Sequence, residues 1–207
     1  MELSNVKTNT SNVGVGNISS SRELPMPNVK RISSLNQAHA TLQHCWTKLS
    51  TVSQQSPSPS PSPVTYSPHP ESRNENKKLY QAWLEQWELA FTAFLSNAMA
   101  SMTNGDLSQS RILKTNHLAC TVVASDLESG FEAFEAEFRA IVELAGAVLR
   151  CRYFADSPQD TKSKHDISPI AAGLDVREPL RVVLRCSRNE SHNKAAELLR
   201  IGQPDAV

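Results

Sequence analysis

The sequence predicts an all-α fold: an irregular antiparallel array of five to six helices, with a disordered N-terminus and a Ser-Pro-rich linker. Three observations carry this. Apolar residues recur at three- and four-residue steps in several long windows. No strand–helix–strand alternation is present, and Val182-Val183 is the only strand-like fragment of its region. A dense run of prolines separates two of the helical windows.

Residues 1–31 are rich in Ser, Asn and Thr without apolar periodicity, and they read as a disordered tail. Gly14 and Gly16 form a lone G-x-G with no strand before it and no third Gly, so it lacks the setting of a nucleotide loop. The first helical window, 32–50, places Ile32, Leu35, Ala38, His39, Leu42, Cys45, Trp46 and Leu49 on one face. Ser34 and Gln37 in front of it have capping-box spacing. We read it as an isolated amphipathic helix that packs on the main domain.

Residues 51–76 follow as a linker, because six of the twelve prolines lie between Pro57 and Pro70. Proline fixes φ and removes a donor, so this stretch favours polyproline II and would extend to roughly 40 Å. Its Ser-Pro steps make Ser56, Ser58, Ser60, Ser62 and Ser67 candidate phosphorylation sites. Each phosphate would add about −1.5 to −2 charge.

The main helical domain spans 77–201, and 202–207 is a short tail. Leu79, Trp83, Trp87, Ala90, Phe91, Phe94, Leu95 and Ala98 form the strongest amphipathic pattern in the chain. Such a stripe packs as core; if exposed, it is a partner patch. Trp83, Trp87, Phe91 and Phe94 are therefore the candidate partner surface or apolar pocket. Asn104-Gly105-Asp106 reads as a turn, with Asp106 and Gln109 as caps for a helix bearing Ile112, Leu113, Leu118, Cys120, Val123 and Ala124. Ser129 and Glu132 begin the next, whose inward residues run from Phe131 through Phe138, Ile141 and Val148 to Leu149. Its acidic start and its end at Arg150 and Arg152 suit the helix dipole. Residues 153–168 read as a flexible loop. Pro179 opens a helix of about 180–186. A last one, about 191–201, faces inward through Ala195, Leu198 and Leu199.

Composition excludes several functions. The 21 Lys+Arg and 21 Asp+Glu cancel, so bulk electrostatics does not favour direct nucleic-acid binding by this chain. Lys30-Arg31 and Lys77-Lys78 are too short for a specific basic signal. No apolar run is long enough to cross a membrane, and the start has no secretory pattern. Cys45, Cys120, Cys151 and Cys186 form no C-x-x-C pair and are expected as reduced thiols. His39 and His44 stand five apart, off a common helical face. His117 and Cys120 share a face without further ligands. No catalytic motif appears, so the expectation is a protein that is not an enzyme and holds no cofactor.

Three ordered segments carry a resemblance. Ser34 to Leu42 matches S-L-x-x-A-x-x-x-L. Leu84, Trp87, Ala90, Phe91 and Phe94 match L-x-x-W-x-x-A-F-x-x-F, followed by Leu113 and His117 as L-x-x-x-H and by Phe138, Ile141, Leu144 and Ala145 as F-x-x-I-x-x-L-A. Val176, Pro179-Leu180, Cys186, Arg188, Ala195, Leu198 and Leu199 match a terminal block. Together they resemble the C-terminal regulatory region of fungal zinc-cluster (binuclear six-cysteine) transcription factors. Asp175 stands where that family has Gly, and its C-R-D is Cys186-Ser187-Arg188 here. No six-cysteine cluster is present, so zinc is expected only if an upstream cluster is missing from this chain. The resemblance implies a helical regulatory domain without its own DNA reader: a truncated gene model, a degenerate paralogue or a stand-alone partner. It would act in the nucleus (alternatively the cytoplasm) through protein or ligand contacts. Its partners would be protein, including the transcription machinery or full-length paralogues. The rival expectations are a generic cytoplasmic helical interaction module and an apolar small-molecule sensor.

Overall fold

The computed structural model describes residues 26–54, 70–125, 131–155 and 173–201. Within them the chain forms six α-helices: α1 (Leu35–Gln54), α2 (Pro70–Ala98), α3 (Asn104–Ala124), α4 (Glu135–Ala155), α5 (Arg177–Cys186) and α6 (Glu190–Ile201). Single 3-10 turns cover Met99–Ser101 and Phe131–Phe134, and no strand occurs among the described residues. The all-α class stands. None of the described helices is long and apolar enough to cross a membrane.

α3 is the hub, packed against α1, α2, α4 and α5, while α6 closes on α4 and α5. It buries Ile112, Leu113, Ala119, Cys120, Val122 and Ala124. Thr115 and Asn116 sit inside with their side-chain donors bonded to backbone carbonyls. Thr115 Oγ1 donates to Arg111 O at 2.7 Å, and Asn116 Nδ2 donates to both Ile112 O and Asp175 O. The second of these bonds ties the approach to α5 onto α3. Asp175 also accepts, through its side chain, from Arg152 Nη1 at 2.9 Å on the end of α4. Glu135 performs the same service for α6: it accepts from Ser191 Oγ and Asn189 Nδ2, joining the starts of α4 and α6.

Several boundaries differ from the sequence reading, each for a physical reason. The tail does not run to residue 31. Val29 is 1% exposed and Ile32 is also buried, so residues 26–33 form an irregular strap that is anchored on the helices. The linker is shorter than 51–76 at both ends. α1 continues to Gln54, and α2 begins at Pro70, where a missing N–H is harmless because the first-turn donors have no helical partner. Asn104-Gly105 are helical, not a turn. The cap is Thr103, whose Oγ1 accepts from Asp106 N while Asp106 Oδ2 accepts from Thr103 N. Those bonds hold the Asp106 carboxyl below its usual range. α4 runs on to Ala155, beyond the loop expected from 153. Val182-Val183 is helical, because with Leu180 it supplies the buried face of an amphipathic α5 whose Arg181 and Arg185 face solvent. Leu79 is 67% exposed, and Tyr80 is buried in its place. One position of phase separates them, which the apolar pattern of leucine alone does not resolve. The front of α1 follows the spacing: Gln37 N donates to Ser34 Oγ, although the Gln37 side chain reaches back to Ser33 instead of Ser34.

Candidate functional site

The residues singled out on α2 separate into two environments. Trp87 and Phe91 are 0% and 1% exposed, inside the core that α2 makes with α1 and α3. Burying each such ring stabilises the fold by roughly 1.5–3 kcal/mol. Trp83 is buried nearly as deeply, and Phe94 is half-buried. The rings stack along the helix, Trp87 on Phe91 at 4.6 Å and Phe91 on Phe94 at 6.3 Å between centroids. Both indoles satisfy their N–H groups across the fold. Trp87 Nε1 donates to Thr41 Oγ1 on α1 at 3.1 Å, and Trp83 Nε1 donates to Pro27 O on the strap at 2.7 Å. The helical spacing identifies this ladder, but its partners lie 46 and 56 residues away in sequence and leave no local trace.

On the other side of Trp87 lies His117 of α3, stacked at 5.1 Å with the rings 16° apart. Its Nε2 lies 3.0 Å from Leu84 O, which can only accept, so Nε2 carries the proton. Nδ1 then presents a lone pair 3.3 Å from Glu88 Oε2, and neither atom makes a hydrogen bond. Glu88 Oε1 pairs instead with the Lys114 ammonium, both half-exposed. Burial lowers the His117 pKa, and this outweighs the pull of Glu88 and of the Leu84 carbonyl toward the charged form; Lys114 adds to the lowering. His117 is therefore a neutral core imidazole wedged between an indole and a carboxylate. No sequence signal places Glu88 and Lys114 beside it.

The other polar candidates do not converge. His39 and His44 lie on α1, each with a buried Nε2 lacking a hydrogen-bond partner, and burial lowers the His39 pKa. Among the described residues no three His, Cys, Asp or Glu side chains are grouped to hold a metal. All four cysteines are free thiols. Cys45 and Cys120 meet in the α1–α3 seam, where burial first, and then a hydrogen bond from one to the other, push the Cys120 thiol well up. Cys151 is exposed. The Ser-Pro sites Ser56, Ser58, Ser60, Ser62 and Ser67 lie outside the described residues, as do residues 1–25, Ser129 and 202–207.

The strap creates a feature that opens to solvent beside the aromatic ladder. Pro27 of the strap meets Trp83, and the strap bends at Lys30 before Lys30 to Ser33 face the C-terminal half of α2. Between strap and helix lies a groove of about 320 Å³, with Lys30, Arg31, Ile32 and Ser33 on one wall and Ala90, Ala93, Phe94, Asn97 and Ala98 on the other. Of the four aromatic candidates Phe94 lines it. In comparisons with family models, with characterised proteins and with solved structures, nothing matches this chain.

Proposed function

We propose that this chain is a helical regulatory domain of the fungal zinc-cluster transcription-factor type, without a zinc cluster in these residues. It acts in the nucleus through contacts with protein partners, the transcription machinery or full-length paralogues among them, not by catalysis or by reading DNA itself. The observation that carries the reading is where the resembling residues fall. Leu42, Leu84, Trp87, Ala90, Phe91, Leu113, His117, Phe138, Ile141, Ala145, Leu180 and Ala195 are buried and come from α1 to α6, while Phe94, Leu144, Cys186, Leu198 and Leu199 are half-buried and Arg188 is exposed. Most of a motif set spread over some 150 residues thus meets in one core, as a shared helical domain requires. The four cysteines of the sequence are too few for a six-cysteine cluster, and the balanced charge offers no phosphate-binding surplus.

The test is localisation of the full chain, fused to a fluorescent protein, in a filamentous fungus. Nuclear accumulation under at least one growth condition is the expected result. Exclusively cytoplasmic signal under every condition sinks the transcriptional reading.

A further inference from the structure

We infer that the groove between the strap and the C-terminal half of α2 is a docking site for an acidic amphipathic helix of a partner protein. The inference rests on the reading of the chain as a protein-contact domain, not on its role in transcription.

The floor of the groove is a helix surface made for close approach. Ala90, Ala93 and Ala98 present no bulk, and small residues let two helix axes come within about 8 Å. Phe94 stands half-buried between them as an apolar anchor. Leu89, one turn before Ala93 and at the rim of this face, is 73% exposed. From Ala90 to Ala98 the floor runs about 12 Å, room for about two turns of a partner helix. A large aliphatic side chain left this open on a helix that otherwise buries its rings is unaccounted for by the fold itself.

Charge selects the partner. The groove is lined by two cations, Lys30 and Arg31, and by no carboxylate. Both are exposed, and among the described residues neither has a carboxylate partner. Glu85, one turn before Leu89, is the acid of that helical row and sits at the end away from the strap cations. The arrangement therefore favours a helix with apolar residues at i, i+4 and i+7 and with Glu or Asp along the flank that meets the strap. The cavity volume is at the low end for a small-molecule site, and the exposed apolar surface extends past it, which fits a helix laid along the groove better than an enclosed metabolite.

The test uses the full chain and fluorescence anisotropy of a labelled 18-residue amphipathic peptide with Leu and Phe anchors and a Glu flank. A second peptide keeps the anchors and replaces every Glu with Lys. Laurate serves as an anionic amphiphile competitor. The Glu peptide should bind at least tenfold more tightly than the Lys peptide, and rising salt should weaken it. The double variant K30E/R31E should lose at least tenfold in affinity. A93W, at an exposed position where the fold is spared, should abolish binding while the circular dichroism and the melting midpoint stay those of the parent chain. Equal binding of the two peptides, or affinity unchanged in both variants, overturns the inference. Laurate that binds the parent chain but not A93W, with no binding of the Glu peptide, overturns it in favour of a small amphiphile. A chain that stays outside the nucleus yet binds the Glu peptide as described keeps this inference and refutes only the transcriptional role.

Discussion

Acid should destabilise this protein through His117. The imidazole is buried, and its folded pKa lies below the ordinary histidine value, chiefly because burial penalises the cation. The unfolded chain keeps a pKa near ~6.5. Between those two values the unfolded state binds the proton and the folded state does not, so stability falls as pH falls, and the loss levels off below the folded pKa. One proton is worth at most about 1.4 kcal/mol per pH unit, which bounds the slope between the two values. His39 shifts in the same direction, so the parent chain keeps part of the slope when His117 is removed. The perturbation is therefore H117L, compared with the parent at each pH. Urea unfolding should be followed by circular dichroism, because the imidazole stacks on Trp87 and its charge would alter tryptophan emission without unfolding. The expected result is a shallower acid slope in H117L. Equal slopes would refute the burial argument. A parent chain that gains stability over H117L as pH falls would show that Glu88 wins, so that the pair takes up the proton in the fold.

Other outcomes follow from the same geometry. T41A removes the acceptor of the Trp87 indole N–H and should cost about 1–3 kcal/mol, read by urea unfolding, since a buried donor is left unpaired. E88Q should change stability by less than about 1 kcal/mol, because a carboxamide can donate to the lone pair of His117 Nδ1 while only a half-exposed ion pair is lost. T103A breaks the capping box of the hub helix and should cost about 0.5–2 kcal/mol in the same assay. In thiol labelling of the native chain, Cys151 should react first, whereas Cys45 and Cys120 should react only on unfolding.

Helical periodicity marked the helices other than α5, which Pro179 marked instead, because each carries an apolar face that the fold then buries. The signal was weaker where one residue type served two roles. Leu79 looks like the start of the α2 stripe and is exposed, while Tyr80 takes the buried place because its register faces the core. Val182-Val183 has local strand preference, which tertiary burial overrides once Leu180 joins them on one helical face. The strap was illegible: an irregular segment has no period to detect, and Val29 and Ile32 are two apolar residues in a polar run. For the same reason Lys30-Arg31 read as a basic pair too short for a signal, while their place on the wall of a groove emerges only when the strap lies along α2. His117 stands out in the sequence only by its spacing from Cys120, whereas its lowered pKa comes from burial against α2, which outweighs the opposing pull of Glu88 and Leu84.

The central claim is that these helices form a regulatory domain that works through protein contact. The most direct measurement tethers the full chain to a heterologous DNA-binding domain at a reporter promoter in a fungal cell. The account predicts that reporter expression moves several-fold in either direction, and that the shift is lost in A93W while the fusion protein stays at its normal level. Unchanged expression with a folded, promoter-bound fusion under all conditions tested would contradict it.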